Sequence, residues 1–234
     1  RGYTEVLRHG GGGVGQTPDY WDNAYFDGSY WHNGKPEAAK GYCTDVFFDY
    51  AKAFIKNQKA ANKPFLAYIS TNAPHGPLHC PEDFSKPYIG KHGSKVGNFF
   101  GMIANIDDNV SKLRAFLSEE GLTDNTIFIF TTDNGTASGA SVFNAEMRGK
   151  KGSEYDGGHR VPFFVHWPNG NMNSASDVKP ITHAVDVLPT LMELCNVTSE
   201  KERYFDGKSI ASLLRGETNS NIDWDNRILV TDSQ

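Results

Sequence analysis

The chain of 234 residues is poor in cysteine, with only Cys43, Cys80 and Cys195 and no CxxC spacing. That argues against a disulfide framework and against a structural zinc site, although one pair could form in an oxidising compartment and leave an odd thiol. No apolar run reaches the length needed to cross a bilayer. No basic block is present, and 23 Lys and Arg against 28 Asp and Glu give a formal charge of −5, which argues against nucleic acid as a partner. An initiating Met is also missing. The chain starts at Arg1 and stops at Asp232-Ser233-Gln234, directly after the strand-like Ile228-Leu229-Val230-Thr231. We therefore expect a piece of a longer protein, in which a missing leader peptide carries no information.

What is present is enough for one sizeable core, or at most two domains. Aromatic residues make up 12% of the chain, and many lie beside Gly, Asn and Asp in its first third, a composition of long structured loops. Gly10-Gly11-Gly12-Gly13-Val14-Gly15-Gln16-Thr17 comes close to a phosphate-binding loop. However, Gln16 replaces the lysine, no apolar strand precedes the run, and Pro18-Asp19-Tyr20 follows where a helix should start. Nucleotide binding is therefore disfavoured. The stretch from Tyr20 to Gly34 reads as a packed aromatic loop with a short hairpin, and its rings would also suit sugar or aryl contacts.

Helices are expected at Tyr42–Gln58, capped by Thr44 or Asp45, at Lys95–Glu120, ended by Gly121, and at His183–Cys195, where Pro189 marks a bend or a first turn. A turn at Phe205-Asp206-Gly207 and a short helix at Ile210–Leu214 follow. Apolar runs at Phe65–Ser70, Thr126–Thr132 and Val161–His166 read as strands of one sheet carrying the Lys95–Glu120 helix on its face. The alternation of strands and helices predicts an α/β protein with a mostly parallel sheet flanked by helices.

Ligands of open α/β sheets bind beyond the carboxyl ends of strands. Two such ends carry chemistry. Thr71-Asn72-Ala73-Pro74-His75-Gly76-Pro77-Leu78-His79 follows the first run, and His75 is favoured over His79 because it lies nearer the strand end in a loop stiffened by proline. Asp133-Asn134-Gly135 follows the second run and offers hard oxygens that suit Ca²⁺ or Mg²⁺, although the same residues would also make a plain turn. Gly149, Gly152, Gly157 and Gly158 lie farther on around Lys150 and Lys151, and should let the backbone approach a ligand. Asp107 and Asp108 are assigned to a helix surface, outside the site.

Asn72-Ala73-Pro74-His75, Ile106-Asp107-Asp108-Asn109-Val110, Gly121 to Thr126, Phe130 to Gly135, Arg148 to Ser153, Tyr155 to Gly158 and Arg160-Val161-Pro162 occur in one order along the chain. In that order they resemble the sulfatase family of the alkaline-phosphatase-like superfamily, and its arylsulfatase branch in particular. The opening glycine run, Tyr20-Trp21 and Gly41 to Asp45 look like the same branch. The resemblance implies an alkaline-phosphatase-like sandwich, incomplete at both ends, and a hydrolase of sulfate esters. It implies that Asp133 and Asn134 bind Ca²⁺, that His75 lies beside the leaving-group oxygen, and that Lys151 rather than Lys150 holds the sulfate. These side chains should open onto one cleft. It implies a small-molecule or carbohydrate sulfate ester as substrate, and a periplasmic, secreted or lysosomal location.

The resemblance also implies a formylglycine nucleophile, made from a Cys/Ser-x-Pro-x-Arg motif. No such motif occurs here. Cys80-Pro81-Glu82 lacks the intervening residue, and Ser85-Lys86-Pro87-Tyr88-Ile89 lacks the arginine. Two further metal-binding aspartates and a lysine–histidine pair of the family precede this region. Residues 1–234 are thus expected to be a partial catalytic domain, without the nucleophile region and the C-terminal small subdomain. A second chain could complete the sheet. A phosphate or phosphonate ester hydrolase of the same superfamily, or a non-catalytic homologue, are the alternatives. Asn109-Val110-Ser111, Asn134-Gly135-Thr136 and Asn196-Val197-Thr198 match the glycosylation pattern, with Asn134 reserved for a metal.

Overall fold

The computed structural model describes residues 2–172, 175–199, 204–217 and 221–230. They form two compact units, one of residues 1–121 with 136–146 and the other of residues 122–135 with 147–234.

The first unit opens with a three-stranded antiparallel sheet, β1 (Leu7–Arg8), β2 (Ser29–His32) and β3 (Lys35–Ala38), in the order β1-β2-β3. The β2–β3 hairpin turns on Asn33 and Gly34, both at positive φ (46° and 92°). This is the backbone that an Asn-Gly pair adopts most readily in a two-residue hairpin. Helix α1 (Cys43–Ala60) follows. Its N-terminus has no side-chain cap, contrary to the expectation for Thr44 or Asp45. Asp45 is engaged elsewhere, because its Oδ1 accepts from Asn105 Nδ2 (2.8 Å) and Asn109 Nδ2 (2.6 Å) of the next helix. Both asparagines are buried. This polar lock fixes how the two helices meet, and it removes Asn109 from the accessible glycosylation sequons.

Helix α2 (Glu82–Glu119) is longer than the periodicity predicted, because a non-helical Gly93 (φ 74°, ψ 167°) joins two arms. The second arm is the expected helix. The first carries Pro87 and no clear apolar stripe, so sequence periodicity missed it. The arms pack at Gly97 and Gly101, where an added Cβ would lie 2.8 Å from the backbone of Ile89 and of Ser85. Gly121 (φ 65°) ends the helix as expected, and Lys59 Nζ ties α1 to the same end by donating to Glu120 O at 2.7 Å. The core contains Val14, Tyr25, Tyr30, Tyr42, Val46, Phe47, Ala73 and Met102. It is therefore built from the glycine-rich loop, the loop of His75 and both helices.

The second unit pairs β4 (Phe128–Thr131) with β5 (Phe163–His166). Helices α3 (Asp156–His159), α4 (Val187–Leu194) and α5 (Ala211–Leu214) complete it. Ile129, Phe163 and Val165 face Val187, Leu191, Leu194, Ile210 and Leu214 across a void of only about 10 Å³, the helix-on-sheet layer of an α/β protein. Pro189 falls in the first turn of α4, where a missing N–H costs little. The expected helical start at His183 is a 3-10 turn, Ala184–Asp186, capped by the His183 side chain.

Every strand pairing among the described residues is antiparallel, unlike the mostly parallel sheet expected. β4 and β5 pair antiparallel, Phe128 opposite His166, as an added strand does in mixed sheets. Phe65–Ser70 belongs to neither sheet among the described residues. Its residues alternate between half-buried and exposed, with Leu66 and Tyr68 outward. That is the pattern of a strand, but its main-chain groups have no ladder partner among the described residues, so local propensity alone could not make it part of a sheet. Ile228–Val230 likewise has no strand partner, and Thr231 lies outside the described residues. The three cysteines are free thiols, so the pairing allowed by the sequence is not formed. Among the described residues no helix is long and apolar enough to cross a membrane.

Candidate active site

His75 belongs to the first unit. Its loop is held by Asn72, a buried side chain that uses both ends of its amide: Oδ1 accepts from Val14 N (3.1 Å) and Nδ2 donates to Tyr25 Oη (2.8 Å). Burial pushes the Tyr25 hydroxyl up to about 12, so it remains a neutral group that donates to His75 O at 3.5 Å. Gln16 completes the frame by donating from Nε2 to Gly76 O (3.0 Å), and lies 3.2 Å from His75 Nδ1. The glycine-rich run is therefore a packing device. A Cβ on Gly13 would lie 2.4 Å from Asn72 Oδ1 and 2.3 Å from Gln16 Nε2. This agrees with the rejection of a nucleotide loop and gives Gln16 a role that spacing alone could not.

The His75 imidazole is exposed, with Nδ1 2.9 Å from Gly76 O. Gly76 O and Gln16 Nε2 both lie against Nδ1, which leaves Nε2 as the open edge of the ring. As the imidazolium, His75 would present Nε2–H outward.

Asp133, Asn134 and Lys151 lie in the second unit. Asp133 is exposed and Asn134 half-buried at the end of β4. Gly135 N donates to Gly158 O at 2.9 Å, and Gly157 N to Arg148 O at 2.8 Å, so the strand end is stitched to the loop that carries Lys151. A Cβ on Gly135 would lie 1.8 Å from Gly157 O, and one on Gly158 1.9 Å from Ser153 O. These glycines let backbone approach backbone; the close approach expected was to a ligand. Lys150 and Ser153 close a turn, since Ser153 N donates to Lys150 O (3.0 Å) and Lys150 N to Ser153 Oγ (3.1 Å). Lys151 and Gly152 are its central residues, and Gly152 has φ 81°, the third-residue conformation of a type II turn. Lys151 is thus exposed at the tip, while Lys150 forms the base. Arg148 stacks on Tyr155 at 3.7 Å and steadies the loop.

The donor set at the strand end is a carboxylate and an amide oxygen, which suits Ca²⁺ or Mg²⁺ and not a thiophilic metal. No cluster of three or more His, Cys, Asp or Glu side chains able to hold a metal occurs among the described residues. Asp133 and Asn134 can therefore supply only part of such a shell. The two nearest approximations to a nucleophile motif are unsuited to the role. Burial raises the Cys80 thiol, and Ser85 is buried within α2, its Oγ donating to Glu82 O at 3.3 Å.

Sequence reasoning missed two polar clusters. Asp186 accepts from Arg227 through Nη1 (2.8 Å) and Nη2 (2.6 Å), and from the main-chain N–H groups of His183 and Lys208 (both 2.8 Å). Burial would raise this carboxyl, but those hydrogen bonds outweigh it and hold it below the usual carboxylate range. His32 sits between Glu5 and Glu37, and Glu37 also accepts from Tyr50. Neither cluster is signalled by spacing, because each depends on a distant member, Arg227 for Asp186 and Glu5 for His32.

Comparison with known proteins gives this α/β chain a family. The family model for sulfatases matches residues 8–197, and the chain belongs to the sulfatase family. It is 30% identical over 210 residues to the uncharacterized sulfatase YdeN of Escherichia coli (strain K12), covering 86% of this chain and 37% of that protein. It is 31% identical over 187 residues to an arylsulfatase of Hemicentrotus pulcherrimus, covering 77% of this chain and 31% of that one. Among solved structures, Ps i-CgsB superposes with a TM-score of 0.80 at 26% identity, covering 92% of this chain and 51% of that one. A complex of the same protein with k-i-k-neocarrahexaose gives a TM-score of 0.73 at 30% identity, covering 81% and 42%. The chain thus spans about a third of the length of the curated relatives it matches.

Proposed function

We propose that this chain contributes part of the centre of a sulfate ester hydrolase, as a partial catalytic domain. Lys151 holds the sulfate, His75 protonates the departing oxygen, and Asp133 with Asn134 binds a divalent cation, Ca²⁺ before Mg²⁺. The observation that carries this reading is the backbone stitch between Gly135 and Gly158, which ties the Asp133-Asn134 strand end to the turn presenting Lys151. A sulfate ester carries diffuse negative charge that fixed positive groups stabilise, and Lys151 at a turn tip is such a group. The cation, when bound, would polarise the sulfate oxygens. Asp133 and Asn134 would orient it, and His75, its Nδ1 against Gly76 O, would deliver a proton from Nε2.

A formylglycine nucleophile would lie outside residues 1–234, which carry no Cys/Ser-x-Pro-x-Arg motif. The substrate is a small-molecule or carbohydrate sulfate ester. Support comes from the saccharide held by one structural neighbour and from the name of a relative 29% identical, the human N-acetylgalactosamine-6-sulfatase. An extracytoplasmic location, periplasmic, secreted or lysosomal, follows from the same family membership.

The test is an aryl-sulfate assay with added Ca²⁺ on the mature full-length protein and on residues 1–234 alone. The full-length protein is expected to turn over the ester and the fragment is not. Lys151→Ala should lower kcat/KM by roughly 10²–10³, as losing one oxyanion-stabilising group does, and Lys150→Ala by far less. Equal losses would refute the assignment of the lysine. A full-length protein active only on phosphate esters would favour the sister reaction of the superfamily.

A further inference from the structure

We infer that the exposed edge formed by Tyr20, Trp21 and Trp31, with Arg8 beside it, is a subsite for a sugar ring of a sulfated saccharide on the His75 side of the site. The inference rests on the sulfate ester reading above and assigns it a substrate class. Tyr20 and Trp21 are the central residues of a turn closed by Asp22 N donating to Asp19 O (3.2 Å), so the fold holds both at a loop tip. Tyr20 is 82% exposed. Its ring meets Trp21 edge-on at 4.8 Å, and Trp21 meets Trp31 of β2 at 5.1 Å. Trp21 and Trp31 are half-buried and hold the outermost ring, Tyr20, in water. Exposed aromatic surface of this kind marks a contact site, and rigid amphipathic rings bind with little loss of conformational freedom.

Charge selects the ligand. Arg8 lies over Trp31 at 5.6 Å, is itself exposed, and among the described residues has no carboxylate within ion-pair distance. A guanidinium held near an indole by cation–π attraction can still offer N–H groups to an oxyanion. Rings for a pyranose face and an arginine for a sulfate match a sulfated saccharide better than a neutral glycan or a small aryl ester.

The platform is also coupled to His75 through the chain. Asp19 Oδ2 accepts from Thr17 Oγ1 (2.8 Å) and Asn23 Nδ2 (3.1 Å), and Asn23 Nδ2 also donates to Gly13 O (2.9 Å). Gly15 N donates to Asn23 O (2.8 Å). The next residue is Gln16, which reaches His75 and Gly76. The aromatic tip and the histidine thus belong to one hydrogen-bonded frame within one unit. A ring placed by Tyr20 would be held in a fixed relation to the group that protonates the leaving oxygen.

The experiment is calorimetric titration of the full-length protein, with its nucleophile left unconverted so that nothing is turned over. The ligands are sulfated tetrasaccharides prepared from chondroitin sulfate, heparin and carrageenan, each beside its desulfated form. Saturable binding of at least one sulfated member is expected. Tyr20→Ala should weaken it about 2- to 12-fold, the contribution of a single aromatic contact. Arg8→Gln should reduce the preference for the sulfated over the desulfated form. Tyr20→Phe should bind like the parent, and unchanged melting of all three variants excludes loss of fold. The inference is overturned if no tetrasaccharide binds, or if Tyr20→Ala binds as well as the parent. If binding depends on Tyr20 but the mature protein hydrolyses no sulfate ester, the subsite stands and the hydrolase reading fails.

Discussion

Gly135→Ala should be the most damaging single-methyl change in the second unit. The added Cβ would lie 1.8 Å from Gly157 O, where real contacts stay beyond 3.0 Å, so the strand end and the loop must part by more than an ångström. Neither side can yield through a rotamer, because both are backbone. The Gly135 N to Gly158 O bond of 2.9 Å would be lost with the contact. Overpacking and a lost buried hydrogen bond together cost about 2–4 kcal/mol. The control is Gly152→Ala, where a Cβ meets nothing within 4 Å and only the positive φ of 81° is penalised. That cost is roughly 1–2 kcal/mol. The two variants add the same methyl, so the difference isolates the stitch. Urea unfolding of the mature full-length protein measures the first effect. Aryl-sulfate kcat/KM measures the second, because an ångström of displacement between Lys151 and Asp133-Asn134 should cost roughly 10²-fold. Equal destabilisation by Gly135→Ala and Gly152→Ala would refute the reasoning. So would full activity in Gly135→Ala.

Three further outcomes follow from the polar clusters. Asp45→Ala should destabilise by about 1–3 kcal/mol, because it leaves the buried amides of Asn105 and Asn109 without their shared acceptor; denaturant unfolding measures it, and a loss no larger than that of Asp49→Ala would contradict the lock. Arg227→Ala should cost about 3–5 kcal/mol by stranding the Asp186 carboxylate, which is 1% exposed. Asp186 is held below its ordinary value, so this stabilisation is present above about pH 4 and lost as pH falls through the depressed value; a melt measured in steps of pH should lose that acid limb in the variant. Hydrogen bonds that His32 donates to Glu5 and then to Glu37 hold it above its ordinary 6.5. His32 holds Glu5 below 4.5, and Tyr50 followed by His32 does the same for Glu37. The clasp of the first strand should therefore be strongest between those limits, weakening as pH rises through the raised histidine value and as it falls through the lowered carboxylate values. Amide exchange at Leu7 and Arg8 reads it, and His32→Gln should flatten the profile.

Sequence alone carried the α/β class and the helices with strong periodicity, such as the second arm of α2. It also carried the strand that ends before Asp133-Asn134. Those signals are local, set by residues within one or two turns of each other or by an apolar run and the turn that closes it. It preferred Lys151 to Lys150 because Lys151 directly precedes Gly152, and in the fold Lys151 and Gly152 are the central residues of the Lys150–Ser153 turn. Other features could not be read this way. The partners of Asp45, Asp186 and His32 are at least 60, 41 and 27 positions away in one or more of their contacts, and no periodicity encodes a side-chain bond across such distances. The glycines of the 149–158 loop were visible, but whether they made room for a ligand or for the loop's own backbone depended on how the loop folds back on itself. The 65–70 segment shows the same division. Its alternating apolar pattern is intrinsic to the sequence, whereas a strand exists only if another backbone lies beside it to share hydrogen bonds. Composition and local pattern determined which pieces this chain offers; the approach of distant backbones, which depends on main-chain groups common to every residue, was decided only in the folded structure.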